Sequence, residues 1–374
     1  MGFERLQTPC LLLDRKRFEA NLDRLRARAI ELGVRWRPHL KTSKSVDAGE
    51  AMRRRGVTGG TVSTLAEAAA FMDAGWTDLV YAVPLTPTAI ERGVALLDGR
   101  ADDALQFLVE SVSAARAAAH AAARHGRTLA VWIEIDCGAG RTGVSPDGQE
   151  LLAVADALAP GVRLAGVLTH AGQSYAAGGR AELVRIAETE RRAAVAAAER
   201  LRARGHDVPA VSVGSTPTAL AAEHLEGIDE FRPGVGVLFD LYQHGLGVCT
   251  TDEIAADVLT RVIAVHPDER RCWVDAGSLA MSADRSAGRF DPAIGWGRIV
   301  DPEGRPLAGV RFETAHQEHG FLRLDSLADP ADFPVGRLLR ILPNHACITA
   351  AMHDRFHVHE GGAPRAVWER VRGW

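Results

Sequence analysis

Between residues 34 and 233 the chain alternates short apolar runs with segments of helical character, and this alternation constrains the fold more than any other feature. The runs fall at 34–38, 58–63, 78–83, 105–110, 129–136, 163–170, 210–214 and 228–233. Strands separated by helices require right-handed crossovers and a parallel sheet, and eight strands is the number that closes a barrel. Intervening segments such as 112–125 and 179–204 are rich in Ala and Arg. Alanine is the best helix former, so these runs need no functional explanation. Ahead of the alternation, Thr8-Pro9-Cys10-Leu11-Leu12-Leu13 reads as a buried strand, and Asp14 as the cap of a helix with apolar positions Phe18, Leu22 and Leu25.

After about residue 245 the rhythm changes. Ile254 to His266, Arg271 to Val274, Arg298 to Val300, Val310 to Thr314 and Arg337 to Leu342 read as strands separated by Gly, Pro and Asp turns. The only helix expected there is 365–372. The expected fold class is therefore α/β, a (β/α)8 TIM-type barrel followed by a C-terminal β-rich domain.

With 374 residues and 47% hydrophobic content, the chain is long and apolar enough for both cores. Its net charge of −4 is spread among mixed charges, which leaves no footprint for nucleic acid or an anionic membrane. No apolar run reaches membrane-spanning length, and the first residues contain none that would serve as a signal peptide. Leu6 breaks the myristoylation pattern. Five scattered cysteines make no disulfide framework, which fits a reducing cytoplasm.

Only three lysines, Lys16, Lys41 and Lys44, occur among 44 basic residues. A guanidinium stays protonated and forms no imine, whereas a desolvated amine can attack a carbonyl. Taken alone, Lys41 in Arg37-Pro38-His39-Leu40-Lys41-Thr42 reads as a solvated residue opening the next helix. The strand ends change that reading, because barrel chemistry lies in the loops that follow the strands. Those loops hold His39 and Lys41, then Ser63-Thr64 with Glu67, then Asp136-Cys137-Gly138-Ala139-Gly140-Arg141. Next come Thr169-His170-Ala171-Gly172-Gln173-Ser174-Tyr175, Gly214-Ser215-Thr216-Pro217-Thr218 and Arg232-Pro233-Gly234-Val235-Gly236. The last two have the small residues and hydroxyls of a phosphate cradle, where barrels commonly bind phosphate. A lysine and a phosphate site at one barrel mouth point to pyridoxal phosphate, held by an imine and a phosphate ester.

In the β-rich part, His345 and Cys347 of Pro343-Asn344-His345-Ala346-Cys347 are expected on one side of an extended segment, suited to Zn²⁺ or another borderline metal. Taken alone, the pair also reads as a buried cysteine beside a core histidine. Gln317-Glu318-His319-Gly320 offers a further imidazole and carboxylate, while His353, His357 and His359 read as surface residues.

Together these segments resemble the fold-type III pyridoxal-phosphate enzymes, and within them the D-threonine aldolase and eukaryotic-type D-serine dehydratase family. The resemblance rests on R-P-H-L-K-T, T-V-S-T-L-A-E, E-I-D-C-G-x-x-R-T-G, T-H-A-G-x-S-Y, S-V-G-S-T-P-T, R-P-G, D-A-G-S-L-A-M-S, Q-E-H-G and P-N-H-A-C, in order. It implies an alanine racemase-like barrel over 14–245 and a β domain formed by 1–13 with 246–374. A homodimer and a small-molecule D-amino acid substrate are implied as well. By resemblance Lys41 forms the imine, Arg141 lies near the cofactor's phenolic oxygen, and Gly214, Ser215 and Thr216 hold the phosphate. His39, Tyr175, Arg232 and Gly234 join the cofactor set. His170, Gln173 and His319 join Lys41 as catalytic candidates, and His345 and Cys347 match the family's site for a divalent metal (Mn, Mg or Zn).

Two chemistries start from a D-3-hydroxy amino acid. An aldolase removes the hydroxyl proton and breaks Cα–Cβ, giving glycine and an aldehyde. A dehydratase removes the Cα proton and expels the hydroxyl, giving a 2-oxo acid and ammonia. Gly247 to Ala255 and Ser282-Ala283-Asp284-Arg285 look more like the aldolases, and aldol cleavage is the expected activity, with dehydration the alternative. A thiolate ligand is closer to the zinc-dependent dehydratases. A non-catalytic pyridoxal-phosphate carrier would lack the second domain. Two departures stand out: Gln173 replaces a usual histidine, and Gly236 replaces an aromatic residue.

Overall fold

The computed structural model describes residues 2–374. It divides into two compact units, Arg24–Gly234 with Val371–Trp374, and Met1–Asp23 with Val235–Arg370. Strands are numbered along the chain. β1 (Cys10–Asp14) belongs to the second unit, and the eight that follow build the first.

These eight are β2 (Arg35–Trp36), β3 (Gly60–Val62), β4 (Leu79–Pro84), β5 (Leu105–Val109), β6 (Leu129–Ile135), β7 (Val162–Thr169), β8 (Val211–Val213) and β9 (Glu230–Phe231). They pair in the order β2-β9-β8-β7-β6-β5-β4-β3, parallel throughout. A parallel bridge between His39 and Thr61 joins the two edges, with Leu40 N–H donating to the Thr61 carbonyl at 2.8 Å. This is the parallel barrel that the alternating apolar runs predict. β2 and β9 are shorter than their apolar runs because Pro233 has no N–H to donate across, although Arg37 and His39 still donate to the Phe231 and Pro233 carbonyls at 3.0 and 3.2 Å.

The crossover helices are set by local signals. Thr64 accepts the Glu67 N–H at 3.0 Å and starts Leu65–Asp73. Ser111 caps Val112–His125, whose alanines pack inward, and Gly126 ends it at φ 60°, a left-handed conformation that glycine adopts at no cost. A polar lattice lies among the strands. The Arg37 guanidinium donates to Glu230 at 2.9 Å and to the Asp78 carboxylate at 2.8 Å. Ser212 donates to Glu230 at 2.8 Å, and Gln106 bridges Asp78 and the Trp132 indole at 2.7 Å each. Buried charges persist only when paired and hydrogen-bonded in this way.

In the other unit β1 is joined by β10 (Ala256–His266), β11 (Arg271–Val274), β12 (Arg298–Val300), β13 (Val310–Ala315), β14 (Gly320–Leu324), β15 (Leu338–Leu342), β16 (Arg355–Glu360) and β17 (Ala363–Glu369). The sheet runs β13-β14-β11-β10-β1-β16-β17, with β15 beside β10 and β12 beside β15. β1 sits between antiparallel β10 and parallel β16, and its Leu11, Leu12 and Leu13 are buried. Asp14 accepts the Arg17 N–H at 3.1 Å, and Phe18, Leu22 and Leu25 of the helix Arg15–Glu31 are buried.

Three expectations fail in this unit. The segment expected as a helix at 365–372 lies mostly in strand β17, paired with β16 in a register that sets Phe356 opposite Trp368. Trp368 also packs edge-on to Phe18 at 5.7 Å, so strand pairing and aromatic burial override local propensity. Short helices occur at Ser278–Met281 and Ala346–Ala351, where none was expected. His359 is not a surface residue: it is 2% exposed, with its ring 4.9 Å from that of Phe3. No described helix is long and apolar enough to cross a membrane.

Candidate active site

Lys41 follows the bridge at His39, is exposed, and has no ion-pair partner among the described residues. Lys44, three positions on, is held at φ 46° with its amine 2.7 Å from the fully buried Glu67 carboxylate. Glu67 also accepts the Ser63 N–H at 3.0 Å and the Ser63 hydroxyl at 2.9 Å. Lys44 is thus paired with Glu67, and of the two amines of this loop the Lys41 one is left without a carboxylate partner among the described residues. Beside it, burial holds the His39 imidazole well below its usual pKa, helped by the charges of Lys41 and Arg232. The His39 Nδ1 is buried with no hydrogen-bond partner among the described residues.

The loop after β6 is organised by Asp136, whose Oδ1 accepts the N–H groups of Gly138 and Ala139 at 2.9 Å and of Gly140 at 3.1 Å. That turn presents Arg141, whose largely exposed guanidinium lies 3.9 Å from Glu134. Burial raises the Glu134 pKa, against the neighbouring Thr142 hydroxyl and Arg141, and its Oε2 is unpartnered among the described residues.

After β7, the His170 Nδ1 lies 2.7 Å from the Gly214 carbonyl, and burial takes its pKa down to about 3. The Tyr175 ring is tilted against it at 6.2 Å. Gln173 donates to the Cys137 carbonyl at 2.9 Å. Its Oε1 is buried and unpartnered among the described residues.

Gly214 itself stands at φ 142°, where an added Cβ would lie 2.6 Å from the Arg232 nitrogen. Ser215 opens the helix Thr216–Ala221 with a capping box, accepting the Thr218 N–H at 3.2 Å. A Cβ on Gly234 would lie 3.0 Å from His39 Cβ and 3.1 Å from Thr42 Oγ1, so this glycine lets its loop close on the lysine loop. Arg232 is buried, donating to the Ser212 hydroxyl and the Thr169 carbonyl. Burial lowers its pKa, against the Glu230 and Glu190 carboxylates.

A single uncommitted amine, glycine loops that approach closely, an unpaired buried His39 nitrogen and two arginines fit pyridoxal phosphate. The structure brings His39, His170, Gly214, Arg232 and Gly234 together around the Lys41 loop, with Gln173, Tyr175 and Ser215 in the adjoining loops.

The metal candidates lie in the β-rich unit. His345 is the N-cap of Ala346–Ala351 and Cys347 lies in its first turn, so the segment is not extended as expected. Asp240 caused the change: its carboxylate accepts the Ala346 N–H at 2.9 Å and the Gln243 N–H at 2.8 Å. The His345 Nδ1 is 3.1 Å from Asp284 Oδ2. Burial lowers the His345 pKa, but Asp284, Cys347 and Asp240 outweigh it and carry it to about 11. Asp284, raised by burial, is taken down to about 2 by His345 and Ser286.

Nδ1 is engaged by a carboxylate, the usual support of a metal-binding histidine, and a cation at Nε2 would displace the proton that His345 otherwise holds beside Cys347. The pair fits a cation that completes its shell with water or substrate. No larger metal-holding group of His, Cys, Asp or Glu occurs among the described residues. His319 is exposed on the turn between β13 and β14, with no side-chain hydrogen bond or ion pair among the described residues.

The positions of Glu134 beside Arg141 and of Asp284 on His345 were not anticipated, although both stand inside quoted motifs. A carboxylate within an otherwise apolar strand was the available signal for Glu134.

The sequence matches two family models, the alanine racemase N-terminal domain over residues 13–241 and a serine dehydratase domain over 255–359. The chain belongs to the alanine racemase-like fold-type III family, and to the branch that carries this second domain. Among its relatives is the D-threo-3-hydroxyaspartate dehydratase of Delftia sp., 44% identical over 99% of this chain and 98% of that one. The solved structure of that enzyme superposes with a TM-score of 0.96 over the whole of both chains. Solved variants of it replace a histidine and, two residues later, a cysteine, the latter in the metal-free form. The D-serine dehydratase of Dictyostelium discoideum is 27% identical over 94% of this chain and 93% of that one. The D-threonine aldolase of an Arthrobacter species is 28% identical over 98% and 92%.

Proposed function

We propose that this chain is a pyridoxal-phosphate- and divalent-metal-dependent dehydratase of D-3-hydroxy amino acids, with D-threo-3-hydroxyaspartate as its substrate type. The observation that carries this reading is the 44% identity along the whole chain to an enzyme of that activity. The imidazole and thiol of His345 and Cys347, with Asp284 on the imidazole, support it. Elimination therefore replaces aldol cleavage as the preferred activity. The aldolase reading retains support from the Gly247 to Ala255 stretch and the Arthrobacter relative.

When bound, pyridoxal phosphate would supply an electron sink for the pair left at Cα, and the cation a Lewis acid for the departing β-hydroxyl. Lys41 would hold the cofactor through its amine and, once displaced by the substrate amine, take the Cα proton. Lys44 has no such freedom, because its amine is paired with the buried Glu67 carboxylate at 2.7 Å. Gly214, Ser215 and Thr216 would hold the phosphate, while His39, Arg232, Gly234 and Tyr175 shape the seat. Arg141, exposed at the turn after β6, would pair with a substrate carboxylate or the cofactor's phenolic oxygen. Asp284 would orient His345, leaving Nε2 and the Cys347 thiolate for the cation. Gln173 cannot take a proton near neutral pH, which disfavours deprotonation of the β-hydroxyl and hence aldol cleavage.

The balance is simple. Cα loses a proton and Cβ loses hydroxide, and the released enamine tautomerises and hydrolyses to a 2-oxo acid and ammonia. The reading also includes a homodimer in the cytoplasm, and a division into 14–245 and 1–13 with 246–374.

The test is product analysis with added cofactor and Zn²⁺. D-threo-3-hydroxyaspartate should give oxaloacetate and ammonia. Glycine and glyoxylate would establish the aldolase reading instead.

A further inference from the structure

The helix Arg180–Ala203 turns an inward stripe of Leu183, Ala187, Glu190, Ala194 and Ala197 toward the barrel. Glu190 breaks the apolar character of that stripe and is 2% exposed. A carboxyl group in such a place is costly unless it is hydrogen-bonded. Its Oε1 accepts two backbone N–H groups, from Ala171 at 2.8 Å and from Gly214 at 3.1 Å. The Thr218 hydroxyl is a further partner, and burial raises its pKa against these contacts.

Both amides lie beyond the ladder between β7 and β8, whose last paired residues are Leu168 and Ser212. Without Glu190 they would be buried donors with no strand to receive them. Two other contacts cross the same gap: His170 Nδ1 to the Gly214 carbonyl at 2.7 Å, and Ser174 Oγ to Ser215 Oγ at 2.9 Å. The two peptides that meet at Gly214 are thus both fixed, the first through its N–H by Glu190 and the second through its carbonyl by His170.

We propose that Glu190 is a positioning residue that ties the His170 loop to the Gly214-Ser215-Thr216 loop and thereby sets the cofactor's phosphate seat. The proposal rests on the cofactor reading above. What the geometry requires of Glu190 is an acceptor at Oε1, not a charge, so glutamine should serve in its place. That separates a positioning role from an electrostatic one.

The experiment compares the full-length apoprotein with Glu190→Gln and with Glu190→Met, which keeps the bulk but has no oxygen. The dissociation constant for pyridoxal phosphate is read from its absorption, and amide hydrogen exchange from peptides containing Ala171 and Gly214. Glu190→Met should weaken cofactor binding about tenfold or more and speed exchange at both amides, while Glu190→Gln stays within about threefold of wild type. Unchanged exchange in Glu190→Met, or a glutamine variant as impaired as the methionine one, overturns the proposal. Should Glu190→Met not fold, a glutamine variant with protected amides and near-native binding upholds it, and one with exposed amides overturns it. Wild-type protein that takes up no pyridoxal phosphate would refute the cofactor reading, while exchange at the two amides would still test the brace.

Discussion

The Nδ1 of His170 lies 2.7 Å from the carbonyl oxygen of Gly214. A carbonyl only accepts, so Nδ1 carries the proton and Nε2 presents a lone pair. Burial keeps this ring neutral, with its pKa lowered to about 3, against about 6.5 for a free histidine. The lowered value means that the unfolded chain binds the proton first. The stability contributed is present above about pH 6.5 and is lost as pH falls toward about 3. His39 is displaced in the same direction by its own burial. Urea midpoints of the apoprotein should therefore fall between about pH 7 and about pH 5, and His170→Gln should flatten that decline.

Lys41 and Lys44 make opposite predictions. Lys41→Ala should abolish the visible absorption of bound pyridoxal phosphate. Lys44→Met breaks the pair with buried Glu67 and should lower stability by about 3 kcal/mol, yet retain that absorption. Spectra and denaturant titrations of both variants check this assignment.

For the metal pair, Cys347→Ala or chelation should abolish turnover by about two orders of magnitude or more while leaving the cofactor absorption intact. Restoration of activity by Zn²⁺ or Mn²⁺ after chelation, but not in Cys347→Ala, is the expected pattern in an ammonia-release assay. Asp284→Asn should weaken metal affinity about 10-fold to 100-fold, as the loss of a supporting carboxylate does elsewhere.

The barrel's polar lattice is a matter of stability rather than chemistry. Glu230→Ala would leave Arg37 facing Asp78 alone and strip the Ser212 hydroxyl of its acceptor. The expected loss is about 1–3 kcal/mol in chemical denaturation, because Arg37 keeps Asp78 but the buried donors that faced Glu230 lose their acceptor.

The barrel was legible because the parallel strands, buried on both faces, leave apolar runs, as in residues 129–133. The loops proposed to hold the cofactor stood out because Lys41 and the Gly214-Ser215-Thr216 loop follow such runs. The second unit was harder. β17 alternates weakly and lies at the sheet's edge, so its pairing with β16 could not be read from Ala363–Glu369 alone. The bend at His345 is imposed by Asp240, more than a hundred residues away. Glu190 looked like one more charge in an Ala- and Arg-rich helix until its amide partners were in place.

The central claim is that Cα–H, and not Cα–Cβ, is the bond this protein breaks. Cα-deuterated D-threo-3-hydroxyaspartate, incubated with the holoenzyme and followed by NMR, tests it directly. Elimination predicts a 2-oxo acid with the Cα deuterium released to solvent. Glycine that retains the deuterium, with glyoxylate in equal amount, would contradict it.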